Sequence, residues 1–236
     1  MAILASIPRT MNFKSLLTIV AAVSTVALIP SCSNMPSGGS GLKAYHAYDR
    51  PTKLPSNPAN VKVKVSLSKQ RVYVMEGSEM LLVMPVSVGA PGTTTPSGSF
   101  KIFNKVAKKR ANTHGYAYNG SNVRKTMLSS RPPGYSFKGT PMPYWCEFKP
   151  NYGFHTGWVK HHACTHGCIR MHENLSPKFY RLVSVGTPVN IAYSQPEDAT
   201  AGNIPLPPDS GPLPDYAGSM YVGDGYFTQH KSPSYN

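Results

Sequence analysis

The chain has 236 residues, with 24 Lys/Arg against 10 Asp/Glu, a formal net charge of +14 and four cysteines. That length holds one medium domain with extensions, and so few cysteines in so long a chain exclude a small disulfide scaffold. The charge is uneven: residues 60–193 carry 18 Lys/Arg against Glu76, Glu79, Glu147 and Glu173, while residues 194–236 carry five acids and only Lys231. A basic core suits an anionic partner. The densest run, Lys105 to Arg110, comes with no nucleic-acid-binding motif, so no nucleic-acid partner is expected.

Residues 1–32 read as a targeting signal. Leu16 to Ile29 is an apolar stretch preceded by Lys14, too short for a confident membrane span. Met11-Asn-Phe-Lys14 makes a more normal start for it than Met1 does. The stretch ends at Ile29-Pro-Ser-Cys32, which resembles a bacterial lipoprotein signal whose Cys is lipidated. Pro30 departs from that pattern, and ordinary signal cleavage nearby is the rival reading. Residues 33–59, rich in Ser, Gly, Pro and Asn, read as a flexible linker.

A domain is expected over 60–193. Val61, Val63, Val65 and Leu67 alternate with Lys62, Lys64, Ser66 and Ser68, the pattern of a half-buried strand. Arg71 to Met75 and Met80 to Val88 read as strands joined by a hairpin turn at Glu76-Gly77-Ser78-Glu79. Ser99 to Val106 is another strand. Residues 107–140 lack periodicity and read either as a loop or hairpin over a site or as a surface insertion. Ser176-Pro177 reads as an N-cap with Pro at the first helical position, and Phe179, Leu182 and Val183 share one helical face. Val189 to Tyr193 closes the domain as a strand. Residues 194–236 hold seven Pro and five Gly, with scattered Tyr, and are expected to have little regular structure and no core of their own.

The chemistry concentrates in Thr165-His-Gly-Cys-Ile-Arg-Met171, with Phe154-His-Thr-Gly157 upstream. A thiol needs a nearby base or cation to act as a nucleophile at neutral pH, which His and Arg can supply. Gly167 lets the backbone approach a substrate carbonyl, so that N–H groups around Cys168 could hold an oxyanion. His155 is the candidate base, and His166, two residues before Cys168, is the rival. A metal reading of His161, His162, Cys164, His166, Cys168 and His172 is disfavoured. Their spacing is too compact, a second distant ligand pair is missing, and chelation would consume the nucleophile. No metal and no cofactor are expected.

These blocks carry a family resemblance. Together with Val65 to Val74, Pro85 to Gly89, Thr95 to Ile102 and Met142-Pro-Tyr-Trp145, they resemble, in order over 60–193, the L,D-transpeptidase catalytic domain of YkuD type. The resemblance implies a mostly β fold, a sandwich of two sheets with one helix packed near 176–185. It implies Cys168 as nucleophile, His155 as base and Thr165 orienting that His through its carbonyl or hydroxyl, without an acidic third member. It assigns His166 and Gly167 to the pocket. Arg170 would fix the loop or pair a substrate carboxylate, with a structural ion pair as the alternative. Tyr144 and Trp145 would line a donor groove or pack in the core. The implied substrates are peptidoglycan stem peptides, and the implied setting is the periplasmic face of a membrane to which Cys32 anchors the protein. A hydrolytic L,D-carboxypeptidase with the same residues, or a non-catalytic wall-binding lipoprotein, are the rivals. With Cys32 modified and Cys168 free, only Cys146 and Cys164 remain to form a disulfide.

Overall fold

The computed structural model describes residues 38–235. The targeting segment and Cys32 lie outside the described residues.

The first strands follow the sequence pattern. β1 (Val61–Ser66) buries Val61, Val63 and Val65 and leaves Lys62 and Lys64 half-buried. β2 (Arg71–Glu76) and β3 (Glu79–Ser87) form a hairpin whose turn residue Gly77 takes φ +60°, a value that favours glycine. The expected strand at 99–106 breaks at Ile102, giving β4 (Gly98–Lys101) and the start of β5 (Asn104–Asn119). Ile102 is fully buried at this corner. Residues 107–140 become a long arm of β5, β6 (Asn122–Met127) and the first half of β7 (Ser136–Lys149). β8 (Tyr152–Thr156), β9 (Ile169–Met171) and β10 (Pro188–Ala192) complete the set.

The mostly β expectation holds, and the two-sheet arrangement takes the form of one continuous sheet. Its order is β4-β10-β1-β2-β3-β9-β8-β7-β5-β6. β3 is the shared strand: its first part pairs with β2, while Val86 and Ser87 pair with Met171 and Arg170 of β9. The two halves bury their apolar faces in one core, which also takes Phe179 and Leu182 of α2 (Ser176–Leu182). A chain of ring contacts runs through it, from Phe100 to Phe148 at 5.3 Å, on to Phe154 at 5.4 Å, and to Phe179 at 4.7 Å. The buried rings of Phe148, Phe154 and Phe179 contribute about 1.5–3 kcal/mol each by burial.

The helix starts differently from the expectation. Leu175 occupies the cap position, and Ser176 is already helical and buried, its hydroxyl donating back to the His172 carbonyl at 2.9 Å. Ser176 therefore caps nothing; Pro177 still sits in the first turn, where a missing N–H costs no bond.

Both flanks pack onto the domain. Residues 38–59, read above as a flexible linker, hold α1 (Gly38–Ala47) and a docked segment after it. Tyr45 is buried and its hydroxyl accepts the Val159 N–H at 3.0 Å. Lys178, only 2% exposed, pairs with Asp49 at 2.8 Å and donates to the Arg50 carbonyl at 2.8 Å. Asn174 donates to the carbonyls of His46 and Tyr48, each at 2.8 Å. Beyond β10 come α3 (Glu197–Thr200), α4 (Gly218–Val222) and a 3-10 turn at Gly225–Thr228. Tyr221, Tyr226 and Phe227 of this region are buried, the first two clustered with Tyr116 of β5.

Candidate active site

The site is built on two parallel neighbours. β8 and β9 pair with Phe154 opposite Ile169, His155 opposite Arg170 and Thr156 opposite Met171. Parallel neighbours need a crossover of about a dozen residues, and residues 157–168 supply it, ending on the Thr165–Cys168 turn. Alternation along β8 sends Phe154 into the core and His155 to the other face, where it lines a cavity of about 890 Å³ with Cys168, Thr165, His166, Arg170 and Trp145.

The crossover is fastened to the end of β3. The N–H groups of Cys164 and Thr165 both donate to the Val88 carbonyl at 3.0 Å, and Ala90 N–H donates to the Thr165 carbonyl at 2.9 Å. The Ser87 hydroxyl accepts the Lys160 N–H at 2.8 Å. Thr165 then shapes the turn itself. Its hydroxyl donates to the Cys168 carbonyl at 2.6 Å and accepts the Gly167 N–H at 3.1 Å. Gly167 takes φ +104°, and a Cβ there would lie 2.5 Å from the Tyr152 ring. The glycine is required both by conformation and by space.

His155 is 8% exposed, and its Nδ1 lies 2.8 Å from the Thr156 carbonyl. A carbonyl only accepts, so Nδ1 carries the proton and Nε2 is left as a free base. Burial, reinforced by the Arg170 charge beside it, lowers its pKa to about 4 against the opposing bond to Thr156. Burial also raises the Cys168 thiol above its ordinary value, against the Gly153 backbone N–H and Arg170, which lower it. The resting pair is thus a neutral imidazole and a thiol. Cys168 Sγ donates to the Asn151 carbonyl at 3.7 Å.

Two expected roles change. His155 is oriented by Thr156, its own neighbour, while Thr165 is spent on the turn that carries Cys168. The Gly167 N–H is committed to Thr165, so Gly167 serves the turn and is no oxyanion donor. Trp145 lines the cavity 6.1 Å from the His155 ring, its indole N–H reaching Glu147 at 3.3 Å. Tyr144 does not share that wall. At φ +57° it turns away, its hydroxyl 2.8 Å from His230 and its ring against Tyr180. His166 is exposed and stacks on His114 of the β5 arm at 5.5 Å. The arm therefore does cover the site.

Arg170 has no carboxylate within salt-bridge distance among the described residues; its guanidinium donates only weakly to Cys164 Sγ at 3.9 Å. An unpaired, half-buried guanidinium in a cavity fits a substrate carboxylate. Cys146 and Cys164 are free thiols, and Cys146 is fully buried in the core, where desolvation pushes it up to about 12. The histidines and cysteines of the metal reading are dispersed. His172 is fully buried and donates to the Tyr45 carbonyl at 2.9 Å, and His161 reaches Pro207 at 2.7 Å.

Residues 60–191 match the family model of the L,D-transpeptidase catalytic domain, YkuD. The chain belongs to that family. Among solved structures it is similar to an L,D-transpeptidase from Mycobacterium smegmatis, with 20% identity, a TM-score of 0.44, and coverage of 56% of this chain and 58% of that one. An L,D-transpeptidase from Stackebrandtia nassauensis is similar at 19% identity and TM-score 0.44, covering 69% of each chain. The catalytic domain from the E. faecium L,D-transpeptidase is similar at 21% identity and TM-score 0.42, covering 56% of this chain and 96% of that one. No curated protein matches the chain.

Some lining residues have no counterpart in the sequence reading. Asp215, Tyr221 and Tyr226 come from the C-terminal region and Tyr116 from the arm. The scattered tyrosines of that region were the only available signal, and composition gives them no partner.

Proposed function

We propose that the chain is a peptidoglycan L,D-transpeptidase in which Cys168 is the nucleophile and His155 the base. The observation that carries the reading is the pairing of His155 with Arg170 across parallel strands. It sets the free Nε2, the thiol two residues before Arg170, and an unpaired guanidinium around one cavity.

In the first step Cys168 Sγ attacks the carbonyl carbon of the bond between the L-centre of a stem peptide's diamino acid and its terminal D-residue. The thiol proton goes to His155 Nε2. The C–N bond then breaks, His155 returns the proton to the leaving amine, and the free D-amino acid departs. An acceptor amine attacks the thioester, gives its proton to His155, and the C–S bond breaks to regenerate the thiol. Because the resting pair is neutral, proton transfer accompanies attack rather than preceding it. Arg170 would hold a stem-peptide carboxylate.

Residues 16–32 support placing the enzyme in the periplasm, anchored through Cys32.

Intact-mass analysis after mixing with a tetrapeptide stem tests the catalytic reading. A thioester adduct lacking the terminal D-residue, absent in Cys168→Ala, is expected. A folded, reduced wild type that forms no adduct would sink the proposal.

A further inference from the structure

The C-terminal region lies beyond the family-matched residues 60–191, yet it supplies one side of the cavity. Tyr221 stacks on Tyr116 of the arm at 4.6 Å and on Tyr226 at 5.1 Å. Tyr216 stacks at 4.8 Å on Trp158, three residues after His155. Tyr116, Tyr221 and Tyr226 line the same cavity as Arg170. Arg170 is in turn the strand partner of His155.

This wall is fastened from both sides. On the arm side, Arg110 donates to the carbonyls of Tyr221 at 2.7 Å and Gly223 at 2.5 Å, and its guanidinium lies 5.0 Å from the Phe227 ring centre. Asp215 accepts from Lys125 at 3.0 Å, from the Trp158 indole at 3.2 Å and from the Tyr221 hydroxyl. On the β9 side, the Tyr216 hydroxyl donates to Glu173 at 2.8 Å. Tyr221 and Tyr226 are 5% and 6% exposed, so their rings are fixed in place by packing.

A thioester at Cys168 can be resolved by an amine or by water, and either must give its proton to His155. We infer that residues 215–227 form an aromatic wall of the cavity that sets the partition of the acyl-enzyme toward an aliphatic amine and away from water. The inference rests on the function proposed above. Packed tyrosine and tryptophan rings exclude bulk water and give the cavity an apolar lining for the hydrocarbon stem of a primary amine. In both outcomes the C–S bond breaks and the thiol returns; only the atom attacking the acyl carbon differs.

The test uses the mature chain, a tetrapeptide stem as donor and 1,5-diaminopentane as acceptor, with amide and hydrolysed tripeptide counted by mass. Truncation after Pro214 removes the wall outright. Gly218→Val is the second variant, since even a Cβ there would lie 2.7 Å from the Val123 side chain and pry the segment off the arm. Release is read by limited proteolysis. We expect the thioester to form in each variant, with the hydrolysed share rising about fivefold relative to amide. A thioester that forms with unchanged partition, in a folded variant whose segment is removed or released, overturns the inference alone. A wild type that forms no thioester overturns the proposed function with it.

Discussion

The two walls of the cavity are put together in opposite ways. The wall bearing Cys168, His155 and Arg170 comes from sixteen consecutive positions, 155–170, held by one parallel strand pair and its crossover. The wall across from it is assembled at long range: Arg110 grips Tyr221 across 111 positions, and Lys125 holds Asp215 across 90. The chemistry is local and the enclosure is not. Damage to the first wall should therefore abolish the reaction, and damage to the second should change what the reaction does or how stably it is housed.

The largest effect is expected from Gly167→Ala. The added Cβ meets the Tyr152 ring and the positive φ is strained for any L-residue, which together cost about 2–4 kcal/mol. The turn relaxes by moving Cys168, so thioester formation should fall by about a hundredfold or more, as small misplacements at a reacting centre do. Stopped-flow acylation alongside urea unfolding checks both numbers. Acylation at the wild-type rate would show that the turn geometry is not what activates the site.

The same contrast explains what the sequence reveals. Val61, Val63 and Val65 alternate because one face of β1 is core, and the turn around Gly167 declares itself because only glycine fits. The arm is unreadable by period: β5 is exposed or half-buried over most of its length, and its only buried residues, Gly115 to Ala117, are consecutive, so no alternation is imposed. Tyr144 is misplaced because its positive φ breaks the strand's alternation just before Trp145. Ser176 looks like a cap by residue type, but the His172 carbonyl behind it captures the hydroxyl. Residues 38–59 read as linker because Ser, Gly, Pro and Asn outvote Tyr45 and Tyr48, whose partners are over a hundred positions away.

Acid should come next, and it strikes the site and the docked N-terminal segment together. Burial is the first cause that lowers His155 and His172 to about 4. In the unfolded chain each titrates near 6.5, so the unfolded state binds more protons between these values. Stability is therefore complete above about pH 6.5 and is lost as pH falls toward 4, by up to about 3 kcal/mol per histidine. Urea midpoints measured across that range check it. His172→Gln should flatten the slope while keeping a donor for the Tyr45 carbonyl; an unchanged slope would remove His172 from the account. Acylation has a different profile: His155 stays neutral through this window, whereas the raised Cys168 thiol makes the rate climb on the alkaline side.

Smaller again is Asp49→Ala, which strips Lys178 of its charge partner but leaves it the Arg50 carbonyl. Asp49 is 35% exposed, so water can replace part of the lost pairing, and about 1–2 kcal/mol is expected. The segment from Tyr45 to Lys53 should become sensitive to protease before the core does.

The smallest change sharpens the point about enclosure. Lys53 and Glu79 form a 2.7 Å ion pair on that same docked segment, with side chains 58% and 49% exposed. A pair so wet is worth under about 0.5 kcal/mol, and Lys53→Ala should leave unfolding and proteolysis nearly unchanged. Docking there is carried by backbone groups instead. Lys53 N–H donates to the Leu81 carbonyl at 2.9 Å, and Glu76 accepts the N–H groups of Ser56 and Asn57 at 2.8 and 2.6 Å. Glu76→Gln, which weakens those two charge-assisted bonds, should therefore cost more than Lys53→Ala. Equal costs would mean that the exposed ion pair, rather than the backbone bonds, holds the segment down.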